Sequence, residues 1–161
     1  MHSTVAVPKA RRRATSSPVT SFDASRDKFI AQLDAKLAEW QAKLAPFNGK
    51  QFVAYHNSWP YFAARYGLKS ELFLEPKPGI PPSPAHLAEV ITKMKEQKVT
   101  VIFHDPYLDH KTAESVAAST GAVVVEVTQF PGGAKGSDGG YIQMMDYLVN
   151  AVVKALAGQT K

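Results

Sequence analysis

Four short apolar runs, Phe52 to Tyr55, Glu71 to Glu75, Val99 to Phe103 and Ala122 to Val127, each give way to a stretch with a different rhythm. In those stretches apolar residues return every three or four positions, the period of a helix with one buried stripe. A helix is expected from about Ser58 or Trp59. A second starts at Ser83 and Pro84 and carries Leu87, Val90, Ile91 and Met94 on one face. A third runs from about Lys111 to a glycine cap at Gly121. A fourth follows the glycine-rich loop 132–140, with Tyr141, Met144, Met145, Leu148, Val152 and Leu156 aligned. Strand and helix in strict alternation require right-handed βαβ crossovers, which leave the strands parallel and covered on both faces. The expected fold is α/β, with a four-stranded parallel sheet. Ahead of it, Phe29, Ile30, Leu33, Leu37, Trp40 and Leu44 mark a long helix ending before Pro46 and Gly49, with Glu39 and Lys43 as an i, i+4 ion pair.

Charge divides the chain unevenly. Lys9, Arg11, Arg12 and Arg13 precede the first acid, Asp23, so four of the five net positive charges lie within residues 1–22. The rest is nearly neutral and offers no basic face for nucleic acid. Residues 1–22 lack periodicity and are expected to be a disordered basic tail unrelated to the fold; no signal peptide is read there, because polar ATSSPVTS stands where an apolar stretch would follow the arginines. The expected organisation is therefore tail 1–22, long helix 23–48 and α/β body 49–161. No run approaches the roughly 18 apolar residues of a membrane-spanning helix. The absence of cysteine removes disulfides, thiolate metal sites and cysteine nucleophiles.

In an open parallel sheet, ligands gather beyond the carboxyl ends of the strands. Four segments fall there: His56-Asn57-Ser58-Trp59, Glu75-Pro76-Lys77, His104-Asp105-Pro106 and Thr128-Gln129-Phe130. The glycine-rich loop contains neither a P-loop nor a GxGxxG pattern, and no GxSxG elbow occurs. Titratable residues are dense at His104-Asp105 and Asp109-His110, which makes a small enzyme one reading, although adjacent loop residues rarely adopt catalytic geometry. His2, in the tail, and His86 read as solvated. His56 directly follows a strand and is itself followed by Trp59, Tyr61 and Phe62. Its type and place leave two roles open, a donor to a borderline-soft metal or a structural hydrogen-bonding imidazole.

Three motifs go further: a histidine leading an aromatic-rich helix that ends in YGL, then EPKPGIPPSP before a helix, and a closing YIQMMDYLVNAV. From about Asp23 to Leu156 the chain resembles the C-terminal lobe of the ZnuA/TroA-like solute-binding proteins that deliver zinc or manganese to ABC importers. The resemblance implies one lobe of a two-lobed, non-enzymatic metal-binding protein. It also implies a periplasmic location, although no signal peptide is visible, and an inner-membrane permease as partner. In that family a metal is held between the lobes, and His56 falls on the position contributed by the first strand of the C-terminal lobe. Histidine there implies zinc ahead of manganese.

The remaining family ligands are less well matched. Gln129 stands where relatives often carry an acid, and a neutral amide is a poor ligand for Zn²⁺. The expected alternatives are three histidines plus water, or a contribution from His104. No counterpart of the N-terminal lobe is recognised, so the chain is expected to be a C-terminal-lobe fragment whose tail is unrelated sequence. Two rival readings accompany this one: an interaction module or decayed fragment that binds no metal, and a small α/β enzyme using His104, Asp105 or Asp109.

Overall fold

The computed structural model describes residues 18–158. The elements run α1 (Pro18–Leu44), a 3-10 turn (Ala45–Phe47), β1 (Gln51–Ala54), α2 (Pro60–Tyr66), β2 (Lys69–Phe73), α3 (Pro84–Glu96), β3 (Val101–His104), α4 (His110–Thr120), β4 (Val123–Glu126) and α5 (Tyr141–Gly158). Helix α1 begins five residues ahead of the expected boundary, so residues 18–22 are helical and not tail. Proline is compatible with a first helical turn because the amide it lacks would have no partner there. The rest of the tail, with His2 and the basic cluster, lies outside the described residues.

The chain divides into two compact units, the first ending at Ala35 and the second beginning at Lys36. In the first, Arg26 pairs with Asp23 at 2.9 Å and with Asp27 at 2.8 Å, and Phe22, Phe29 and Ile30 are exposed. Along the expected apolar stripe of α1, Leu33 and Leu37 are half-buried, and full burial is reached only at its end, by Trp40 and Leu44. The Glu39–Lys43 pair forms as expected, at 2.8 Å.

The second unit holds a parallel sheet in the order β2-β1-β3-β4. Side chains alternate across it, giving two cores. On one face Val53, Leu72 and Ile102 pack with Val90 and Met94 of α3 and Ala113 and Val116 of α4. On the other, Phe52 stacks on Phe103 with ring centroids 3.9 Å apart, and Trp59 and Phe62 meet Phe103 edge-on. Helices therefore cover both faces, as α/β alternation requires.

Two strands start two residues away from expectation, for local reasons. Gly67 ends α2 in a left-handed conformation, and Lys69 N–H already bonds Lys50 O at 2.9 Å, so β2 starts two residues earlier than Glu71. Val99 N–H is held by Met94 O at 2.8 Å, closing the end of α3, so β3 starts two residues later than Val99. The helix caps follow the expected chemistry: Ser83 accepts from His86 N–H at 3.2 Å, and Gly121 closes α4 with φ of 75°.

Candidate metal site

The strand order reverses between β1 and β3, whose connections leave toward opposite edges of the sheet. That switch point opens a crevice beyond their carboxyl ends. Hydrogen bonding continues past the formal ends of the strands: Leu74 N–H to Ala54 O at 2.9 Å, Glu75 N–H to Tyr55 O at 3.0 Å, and Val127 N–H to His104 O at 2.9 Å. Extended pairing brings residue 56 beside residue 75, and residue 105 beside the chain that leaves β4.

His56 is half-buried, and its Nε2 lies 2.5 Å from Glu75 Oε2. The side chains are 19% and 13% exposed, so both groups are largely withdrawn from water yet reachable. Glu75 was placed by the sequence among the strand-end segments without a role; its pairing with His56 depends on strand register, which no local signal carries.

Asp105 is buried at the end of β3, and its Oδ1 has no hydrogen-bond partner. Burial pushes its pKa up, opposed by a side-chain hydrogen bond from Gln129, by the nearby imidazoles of His104 and His56, and by Tyr107. Gln129 thus serves as a neutral partner for a buried carboxylate. His104 is also buried; its ring packs against those of His110, at 4.6 Å, and Tyr55, at 6.3 Å, and its Nε2 is unpartnered. Burial lowers its pKa and His110 adds to this, against raising contributions from Leu108, Asp105 and Glu126.

Asp109, His110 and His86 each have a structural partner. Asp109 caps α4, accepting from Lys111 N–H at 3.3 Å, Thr112 N–H at 3.2 Å and Thr112 Oγ1 at 2.8 Å, and the Thr112 hydroxyl leads in holding its pKa down. His110 Nδ1 lies 3.1 Å from Glu114 one turn on. His86 is not solvated as expected: it is half-buried, with Nε2 3.0 Å from the Phe73 carbonyl, tying α3 to the end of β2. Ser137, in the glycine-rich loop, donates to Ala134 O at 2.8 Å and closes that loop.

Among the described residues, no three His, Asp or Glu side chains converge closely enough to hold a metal ion alone. What the crevice rim presents is one imidazole and one carboxylate side by side, those of His56 and Glu75. Next to it lies a cleft of about 730 Å³ whose lining includes Trp59, Phe62, Gln129 and Met144. No helix among the described residues is long and apolar enough to cross a membrane.

A family described as ZnuA, zinc-uptake complex component A, periplasmic, matches residues 11–155. The chain is 27% identical over 138 residues to the high-affinity zinc uptake system protein ZnuA of Brucella suis biovar 1, a match covering 84% of this chain and 41% of that protein. The protein of the same name in Bacillus subtilis is 30% identical over 140 residues, covering 84% and 43%. A crystal structure of ZnuA superposes with a TM-score of 0.67 at 26% identity, over 87% of this chain and 48% of that one. The chain spans about two-fifths of the length of these curated relatives.

Proposed function

The chain belongs to the ZnuA family of periplasmic zinc-uptake components, and we propose that it acts as the C-terminal metal-binding lobe of a solute-binding protein that serves an ABC importer. The observation that carries this is His56 at the switch point, half-buried and beside a carboxylate. Family membership supports a transport role over a catalytic one, with the metal ion as cargo. Zinc is the preferred ion, because an imidazole donor favours a borderline metal and the chain has no thiolate to offer. The relatives are more than twice as long as the matched region, which supports a complete site that draws further ligands from outside this lobe. The importer's permease is the proposed macromolecular partner, and the family description supports a periplasmic setting.

His56 supplies the lone pair that binds the ion. Trp59, buried three residues on at the start of α2, together with Phe62, walls the adjoining cleft with apolar surface and limits water beside the site. The proposal is tested by zinc titration of the full chain in a calorimeter. Wild type is expected to bind one ion weakly and His56→Ala to lose that binding; equal heats for both proteins would reject His56 as a ligand.

A further inference from the structure

We propose that Glu75 is a second metal ligand, converging with His56 on one ion; this rests on the metal-binding reading of His56. The backbone brings the two residues together. The β1–β2 ladder continues through Glu75 N–H to Tyr55 O, so the two side chains leave adjacent strand ends, with Nε2 and Oε2 at 2.5 Å. Both donor atoms therefore address the same point.

Charge adds a second argument. A carboxylate that is 13% exposed needs compensation, yet among the described residues Glu75 has no Lys or Arg partner, and its ion-pair contact is with His56. A divalent cation between the two groups meets that need. Zinc bonds to nitrogen and to carboxylate oxygen are both about 2.0–2.2 Å, which sets two donors of a tetrahedral ion about 3.3 Å apart. The pair has to open by less than about 1 Å to admit the ion.

Backbone stiffness favours this adjustment over a large swing of the chain. Glu75 precedes Pro76, and Pro78, Pro81 and Pro82 follow before α3 begins. A residue before proline is confined to extended conformations, so the carboxylate is carried on a backbone with few alternatives. An ion held by His56 and Glu75 would have one nitrogen and one oxygen donor from this lobe, a harder set than imidazole alone.

The test uses the full chain, with zinc as the probe, and two readouts. In calorimetry Glu75→Gln is expected to weaken zinc binding by about tenfold or more, with Glu75→Asp intermediate. In nitrogen-15 spectra of wild type, zinc is expected on His56 Nε2. Retention of an Nε2–H with zinc on Nδ1 would overturn the inference, since Glu75 would then only orient the ring; so would wild-type affinity in Glu75→Gln. His56→Ala separates the two failures: if it loses binding and Glu75→Gln keeps it, only the role of Glu75 falls, and if both bind as wild type, the metal reading of His56 falls as well. Should Glu75→Gln fail to fold, judged by circular dichroism of the metal-free protein, the nitrogen assignment in wild type decides.

Discussion

The indole N–H of Trp40 donates to Asp146 Oδ1 at 2.8 Å, joining the end of α1 to α5. Lys36 Nζ holds the same carboxylate at 3.0 Å, and Lys43 reaches Asn150 Oδ1 at 3.1 Å one turn along. Hydrogen bonding to Asp146, and then to Glu39, raises the pKa of Lys36. Trp40 is fully buried, so its N–H has no access to water if the acceptor is removed. Asp146→Ala is expected to cost about 1–3 kcal/mol, the penalty of an orphaned buried donor, whereas Asp146→Asn keeps an acceptor and costs less. Urea denaturation of the three proteins checks this, and equal midpoints would show that the bond contributes nothing.

Acidification should weaken the fold through His104. Burial lowers its pKa below the ordinary 6.5, so the folded chain favours the neutral ring. Its contribution to stability is full above 6.5 and is lost as pH falls from 6.5 toward the lowered folded value, because the unfolded chain takes up the proton first. Asp105 acts in the opposite sense: its pKa is raised from 3.8, so its contribution is present in acid and is lost as pH rises through the folded value. Chemical denaturation at pH 7.5 and 5.5 is expected to show a loss of stability on acidification that is smaller in His104→Gln. An identical loss in both proteins would assign the effect to other groups.

Features legible in the sequence are those set within one turn of chain. Ser83 and Pro84 announce α3, Gly121 ends α4, and Glu39 finds Lys43, because each depends on neighbours three or four residues away. The α/β class was legible too, since the change of apolar period constrains connection and handedness. Asp109 also carried a local signal, an acid three residues before Thr112, and the cap it forms explains a cluster that sequence alone left open to catalysis. Strand register was not legible. It brings Glu75 to His56 and Gln129 to Asp105, and it turns His86 toward a strand carbonyl across thirteen residues.

The close of α2 offers a test of backbone strain. Gly67 has φ of 68°, and its carbonyl accepts from Gly49 N–H at 2.7 Å, anchoring the turn before β1. A Cβ there would lie 2.3 Å from Asn48 Oδ1, the tip of a side chain that can move, so the cost is mainly conformational. Gly67→Ala is expected to lose about 1–2 kcal/mol, the penalty of a left-handed conformation for an L-residue. Thermal unfolding reads this directly. A rise in melting temperature would mean that reduced freedom of the unfolded chain outweighs the strain.

The amide at position 129 matches its buried neighbour. Gln129 hydrogen-bonds the Asp105 carboxylate, which burial already disfavours in its charged form. Gln129→Asp would supply an acid in this loop, but it would also set a second negative charge beside the first. Like charges raise one another's pKa, so the pair would bind an extra proton in the folded state. The folded-state pKa of Asp105 would rise further above its unfolded value, and its acid-side contribution would be lost over a wider span as pH increases. Gln129→Asp is therefore expected to be less stable than wild type at pH 7.5, with the difference narrowing at pH 5. Added zinc tests what the new acid can do. If it joins His56 on the ion, zinc restores the lost stability at pH 7.5; if zinc leaves the difference unchanged, the residue is repulsive only, and position 129 lies outside the coordination shell.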